Sequence, residues 1–349
     1  MKIPSKIGTA IVCLGVIHFA IVFAGLLAPY DPEHQNRSYP FAPPTRLHFV
    51  DSHGKFHLRP FVYEMAGPEG TPGVSVEDKS KPHPIRFLIQ ESPKAGAGRA
   101  RFHLIGVEAP GNLFLLGTDG FGRDQFSRLL FGGRISLFSG LLAALLALGV
   151  GLLLGGAAGF HGGWVDEIIM RGAELFLAVP WLYCLLAIRA FLPLHMSQGQ
   201  VFFTLILVIG LRGWARPARM IRGVVLSAKE RDYVLAARGF GGSGLYLLRR
   251  HILPHTYGVL LTQAAILIPQ YVLAEVTLSF LGLGVGEPAP TWGNMLASLQ
   301  HYHVLASYWW MSLPGLILIP LFLCYYLLAD ALHERLCAET PHGWGSLSD

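Results

Sequence analysis

Charge is scarce in this chain. Only 14% of its 349 residues are Asp, Glu, Lys or Arg, against 52% that are hydrophobic, whereas soluble domains carry about a quarter charged residues. The apolar residues are gathered in runs rather than spread in amphipathic patterns, which excludes an ordinary soluble domain and points to a membrane protein. Cysteine is equally thin. Cys13, Cys184, Cys324 and Cys337 stand in apolar segments or the C-terminal tail, and no two form a C-x-x-C pair. That spacing argues against a disulfide framework and against a zinc or redox site, and leaves small apolar packing as their role. Nowhere does G-x-x-x-x-G-K-[ST] occur, so the loop and lysine that cradle ATP phosphates are missing.

Six runs are candidates for crossing a bilayer: Ile7 to Ala28, Ile135 to Phe160, Gly172 to Phe191, Val201 to Trp214, Tyr257 to Phe280, and Tyr308 to Leu328. A crossing of roughly 30 Å needs about 20 apolar residues. The first run follows Lys2 and Lys6 as a signal peptide would, but it is too long for a signal h-region, so we read it as a retained helix. The fourth is short, and extending it through Arg212 to the basic cluster brings it near the required length. The expected fold class is an all-α polytopic membrane protein of about six transmembrane helices, with a small extracytoplasmic β-rich insertion after the first.

Basic residues give the orientation. Nine of them (Arg212, Arg216, Arg219, Arg222, Lys229, Arg231, Arg238, Arg249 and Arg250) lie in the segment from Arg212 to Arg250, and none lies in 281–307. Short loops rich in Lys and Arg stay in the cytoplasm. The 212–250 segment is therefore expected inside, as are both termini. The 31–134 loop is expected outside, because loops of more than about 60 residues cross regardless of charge. The net charge of +5 and pI near 9.0 accordingly report topology, not nucleic acid.

Within the outer loop, Arg46 to Val50 and Lys55 to Tyr63 are β-prone and flank Asp51-Ser52-His53-Gly54, which suits a tight turn. Pro84 to Gln90 and Arg101 to Val107 are similar, with 66–83 and 92–99 read as flexible connections. Five histidines (His48, His53, His57, His83 and His103) fall here without an H-E-x-x-H pattern. Surface histidines on a β-rich loop are the reading preferred over a metal site.

Three segments carry the functional signal: Leu116 to Leu137 (LGTDGFGRDQFSRLLFGGRISL), Tyr233 to Thr256 (YVLAARGFGGSGLYLLRRHILPHT) and Leu278 to Met295 (LSFLGLGVGEPAPTWGNM). With Gly162-Gly163-Trp164-Val165-Asp166 and Arg171, they resemble the inner-membrane permease subunits of oligopeptide, dipeptide and nickel ABC importers, in the branch with a long first external loop. The resemblance covers about 116–331. It implies a 1–30 transmembrane helix, a 31–134 insertion, a 135–331 permease core of five helices with a cytoplasmic coupling loop at 215–256, and a cytoplasmic tail at 332–349. It further implies a bacterial inner-membrane location, a homologous second permease, two cytoplasmic ATP-binding subunits that bind ATP and Mg, an extracytoplasmic solute-binding protein, and no cofactor on this chain.

The coupling loop also has a reading of its own. A permease driven by a separate ATPase needs a rigid protrusion that fits a groove. Tyr233 to Arg238 and Leu245 to Ile252 would form two short helices, Gly239, Gly241, Gly242 and Gly244 the turn, and Pro254 the stop. Ala236 and Ala237 permit close approach, and His251, Leu253 and Pro254 complete the peptide-branch ending. Leu235 departs from the family, which often has Glu there. The competing reading is a basic amphipathic helix lying on anionic lipid.

Other charged residues are weighed one by one. Glu275, near the outer end of span five, is read as lining the outer gate or holding the following loop by hydrogen bonding, against snorkelling to the interface, and Arg189 as snorkelling. Asp119, Arg123 and Asp124, among Gly117, Gly120 and Gly122, suggest a turn held by Asp side chains rather than a catalytic carboxylate pair. Arg134 marks the start of span two. The expected function is a permease subunit of an ATP-driven importer for peptides or peptide-like solutes. The alternatives are a self-contained secondary transporter, for which duplicated broken-helix halves are not visible, and a membrane-embedded hydrolase, whose groups would have to converge at one depth.

Overall fold

A computed structural model describes residues 5–66, 76–91, 101–108, 110–181, 183–184, 186–187, 193 and 196–338. The chain divides into two compact units, one of residues 1–14, 137–275 and 320–349, the other of 15–136 and 276–319.

The helices are α1 (Ser5–Val22), α2 (Ala24–Leu27), α3 (Gln125–His161), α4 (Gly163–Ala178), α5 (Gln198–Arg212), α6 (Ala215–Lys229), α7 (Asp232–Gly239), α8 (Gly244–Leu247), α9 (Tyr257–Phe280), α10 (Trp292–Ala297), α11 (Tyr302–Ser307) and α12 (Leu313–Ala338). Three continuous helical stretches among the described residues are long and apolar enough to cross a membrane: Gln125–His161, Gly244–Phe280 and Trp309–Glu334. Counting α5 and α6 as one broken span, bent by 42°, makes four. The bend has a local cause: Pro217 has no N–H to give to the Gly213 carbonyl, and its ring crowds that position.

The expected first span is a shorter apolar helix, Ile7–Val22. The third starts nine residues before the expected Gly172 and stops at Ala178; the rest of that run lies partly outside the described residues, as does Arg189. The second begins at Gln125, ten residues before the expected Ile135, because Ser127 and Arg128, polar enough to look like loop, are buried. Span five coincides with α9.

Two faces of α3 carry small residues. On the part of the helix in the first unit, Gly151, Gly155 and Gly159 stand four apart and meet α6. A Cβ on Gly151 would lie 2.8 Å from Pro217, one on Gly159 2.8 Å from Val225, and one on Gly155 would overlap the Ala218 backbone. The contacting face of α6 buries Ala215, Ala218, Ile221, Val225 and Ala228 at helical spacing.

The other unit holds a four-stranded antiparallel sheet in the order β1-β2-β3-β4: His48–Val50, Phe56–Ala66, Val76–Glu91 and Arg101–Val107. The turn at 51–54 forms as read. Asp51 Oδ1 accepts from the His53 and Lys55 amides at 2.9 Å each, and Gly54 takes φ +79°. The 66–83 connection is corrected in part, since Val76–Asp78 and Pro82–His83 pair with β2 across a register shift, while residues 67–75 and 92–99 lie outside the described residues. Pro82 and Pro84 fall where β4 does not reach, its pairing beginning at Ile85, and there a residue without a donor is tolerated. The histidines serve different partners. His57 Nε2 bonds Asp51 at 2.8 Å, His48 Nε2 bonds Glu77 at 3.1 Å, and buried His103 donates from Nδ1 to the Ala28 carbonyl at 2.5 Å.

The α3–α6 contact predicts an asymmetry between neighbouring glycines. Gly155→Ala should destabilise the protein by about 1–3 kcal/mol through overpacking, read as a lower unfolding temperature in detergent. Gly149→Ala, in open space, should be neutral or slightly stabilising through helix propensity. Equal effects at the two positions would contradict the close approach.

Candidate functional site

The 215–256 segment, expected to couple, is built outward from α6. Ile221, Val225, Ala228, Val234 and Ile252 form one buried cluster, against which Leu152, Phe160, Leu248, Val259 and Leu260 pack. One face of α7 and the start of the next helix are thereby pinned to α3 and α6. Lys229 Nζ donates to the Gly159 and Phe160 carbonyls at 3.4 and 3.3 Å, placing a cation at the negative end of α3.

The turn between α7 and α8 is made by one glycine. Gly241 alone of the four takes a left-handed backbone, φ +85°, a conformation that costs a residue with a Cβ roughly 1–2 kcal/mol. Gly242 serves closeness instead, since a Cβ there would come within 2.8 Å of the Ala237 carbonyl. Ser243 then caps α8, accepting from the Tyr246 amide.

Pro254 does not stop the second helix, which corrects the expectation. The chain passes through a π turn, Leu248–Ile252, and a 3₁₀ turn, Leu253–Thr256, directly into α9. A proline in a helix lacks a donor and crowds the preceding turn. The change of hydrogen-bond register around it accommodates both, since Pro254 sits in the first turn of the new segment, where its N–H is not needed and its ring is tolerated.

His251 is half-buried between two tyrosines, its ring 6.3 Å from Tyr233 and 5.4 Å from Tyr246. Tyr233 Oη pairs with His255 Nε2 at 2.5 Å, tying α7 to the 3₁₀ turn. The residues picked from sequence thus come together on one protrusion. Val234 is its buried anchor, Ala236, Gly241 and Pro254 are exposed, and Ala237 and Leu253 are half-buried. Sequence reasoning missed the tip: Phe240 is 93% exposed, and Leu245 and Tyr246 are exposed beside it. An aromatic between glycines was the available signal.

Glu275 is fully buried in α9, so it does not snorkel to an interface.

The other unit joins the first and third motif segments. Asp119 Oδ1 accepts from the Phe121 and Arg123 amides at 2.9 and 3.0 Å, an Asx turn. Its Oδ2 takes Arg123 Nε at 2.7 Å. Glu287 then bridges two nearly buried guanidiniums, accepting from Arg123 Nη1 at 2.5 Å and from Arg128 Nη2 at 3.0 Å. Trp292, wholly buried, donates from Nε1 to the Leu129 carbonyl at 2.9 Å. Gly132 and Gly133 leave room for Thr291 and Trp292. Asp124 precedes α3 and accepts from the Ser127 amide and hydroxyl at 2.8 and 2.6 Å. Complete burial nevertheless pushes its carboxyl up to about 7.

Residues 151–337 match the family of binding-protein-dependent transport system inner membrane components. That is more than half of the chain, and the chain belongs to this family. It is a permease subunit of an ABC importer and not an enzyme; hydrolysis of ATP resides on separate subunits. Among relatives, the Dipeptide transport system permease protein DppC of Bacillus subtilis is 36% identical over 221 residues, 63% of this chain and 67% of that protein. The Oligopeptide transport system permease protein OppC of the same organism is 38% identical, over 63% and 70% of the two chains. The Di/tripeptide transport system permease protein DppC of Pseudomonas aeruginosa is 32% identical over 92% of this chain and 84% of its own. Among solved structures, an inward-facing MetNI methionine ABC transporter chain matches with 18% identity over 61% of this chain and 96% of that chain, at TM-score 0.45.

Asp124 yields a pH prediction. Its folded pKa lies above the unfolded value of 3.8, so the folded state holds the proton more tightly and stability falls as pH rises from about 4 through about 7. The unfolding temperature in detergent should therefore be lower at pH 8 than at pH 5.5, and Asp124→Asn, neutral throughout, should flatten that difference. An unchanged pH profile in the variant would refute the assignment.

Proposed function

We propose that this permease imports peptides or peptide-like solutes, working with a homologous second permease, two cytoplasmic ATP-binding subunits that carry ATP and Mg, and an extracytoplasmic solute-binding protein. The peptide-transport names of relatives that span most of this chain support the substrate class. In this reading the chain crosses the bacterial inner membrane six times with both termini in the cytoplasm, and the sheet lies outside. The nine basic residues between Arg212 and Arg250 support that orientation.

The coupling role goes to the 215–256 protrusion. The observation that carries it is an apolar tip, Phe240 with Leu245 and Tyr246, standing exposed on an anchored base. A rigid base transmits force, whereas an apolar tip without a partner would be a liability in water. Gly241 sets the turn, Ala236 and Ala237 admit a close partner, and His251, Leu253 and Pro254 join the tip to α9, so that displacement at the tip moves that helix. Glu275 is assigned to the outer gate, as an ionisable group buried in a membrane helix.

Phe240→Ala should weaken association with the ATP-binding subunits by tenfold or more, about 1.4 kcal/mol or above, as aromatic anchors at interfaces do. Gly241→Val should do likewise by misdirecting the turn. Both variants should keep the wild-type unfolding temperature to within the small cost of strain at Gly241. The check is co-purification from mild detergent together with uptake, and unchanged values for both variants would dispose of the docking role.

A further inference from the structure

Arg134 is the last charge before Ile135 to Phe160, a run of α3 that contains no Asp, Glu, Lys or Arg, so it stands where that helix passes between water and hydrocarbon. A second helix ends at the same level. Arg134 donates from Nε to the Ile21 carbonyl at 2.9 Å and from Nη2 to the Val22 carbonyl at 2.5 Å, and these are the last carbonyls of α1, which have no partner within their own helix. The guanidinium also lies over the Phe131 ring, 5.0 Å from its centroid. A guanidinium has about five N–H donors, and the two bonds to α1 use only part of that set.

A pocket of about 300 Å³ opens beside it, lined by Gly25, Tyr30, Phe102, His103, Phe131 and Arg134. Its other polar members serve the protein itself: His103 Nδ1 donates to the Ala28 carbonyl, and the Tyr30 hydroxyl accepts from the Leu113 amide at 2.8 Å. No acid lines the pocket, so the charge of Arg134 is not balanced there. The neighbouring surface is apolar. Phe19, Val22, Phe23 and Leu26 of the α1–α2 segment are exposed, and Phe102 of β4 is 57% exposed. A free peptide or a small ion would answer the charge and leave the apolar walls uncovered, whereas an apolar protein segment would cover the walls and leave the charge unanswered. A molecule with an anionic head and a hydrocarbon chain answers both.

We propose that this pocket holds a phospholipid, its phosphate on Arg134 and the upper part of one acyl chain against Phe102 and Phe131. Arginine is suited to phosphate through paired, charge-assisted hydrogen bonds. A lipid of net negative charge is preferred over a zwitterionic one, because the ammonium of the latter would add a second positive charge beside Arg134 with no acid in the pocket to receive it. The bound lipid seals the junction of α1, α3 and β4.

The test uses the whole importer in proteoliposomes of phosphatidylethanolamine and phosphatidylglycerol, with a trace of one or the other carrying a photoactivatable group high on an acyl chain. After irradiation the adducts are mapped by mass spectrometry. In the wild type they should concentrate at Phe102 and Phe131, be several times more abundant with the phosphatidylglycerol probe, and fall with excess unlabelled phosphatidylglycerol but not with inorganic phosphate. Arg134→Gln should cut this labelling roughly tenfold, the scale of a lost charged hydrogen bond. That variant also gives up the bonds to α1, so Gly25→Leu is the companion: a Cβ on Gly25 would have Arg134 Nη2 as its nearest neighbour, at 3.9 Å, and the longer side chain occupies the pocket while the α1 carbonyls keep their partner. It should lower the labelling at Phe131 to a similar degree in an importer that assembles and unfolds at the wild-type temperature. Adducts spread evenly over the apolar surface, equal labelling by the two probes, displacement by inorganic phosphate, or undiminished labelling in Gly25→Leu would each overturn the proposal. Should Arg134→Gln fail to assemble, the wild-type map and Gly25→Leu decide it.

Discussion

The close approach of α3 and α6 across Gly151, Gly155 and Gly159 is the contact on which the packing of the 215–256 segment depends. Inside a bilayer, helices gain nothing from hiding apolar surface from lipid that is itself apolar, so they associate through van der Waals contact that only small residues allow. Here three glycines bring α6 within backbone distance of α3. Once α6 is seated, Ile221 and Val225 complete the cluster that anchors Val234 and Ile252, and Lys229 closes the end of α3. The protrusion is stiff because its foundation is dry and tightly packed, and a stiff protrusion can transmit displacement.

The other unit relies on a different physics. Two nearly buried arginines share Asp119 and Glu287. Such a network adds little net stability, because desolvating the charges offsets their attraction, but the arrangement is specific: removing one partner leaves a buried charge without compensation. Glu287 and Trp292 come from one motif segment and Arg123, Arg128 and Leu129 from another. Their contacts give a physical reason for both segments to keep their residue types, with the cap at Asp124 and the glycines at 132 and 133 completing the fit.

Much of this was legible in the residues. The apolar run from Tyr257 to Phe280 is α9 as read, because its few polar residues, Glu275 among them, are too sparse to break it before the glycine-rich stretch that follows. The turn at Asp51 to Gly54 was readable because its chemistry is local. The start of α3 was not, since Arg128 looks like a loop residue until Glu287 arrives from 159 positions away. Pro254 misled for the complementary reason: a proline breaks an ideal α-helix, and whether a change of register rescues it depends on the packing of Ile252 and Thr256. In the coupling segment, Gly241 could be named from its glycine-rich surroundings. The Tyr233–His255 tie could not, because it follows from where Val234 is anchored, whereas Phe240 between Gly239 and Gly241 left a signal that was not used.

The central claim is that force from the ATP-binding subunits enters through the tip of the 215–256 protrusion. Its most direct test is a photo-crosslinking phenylalanine analogue placed at position 240 and irradiated in native membranes of the assembled importer. The account predicts an adduct between this permease and an ATP-binding subunit. Adducts to lipid alone, with a fully assembled and active complex, would contradict it.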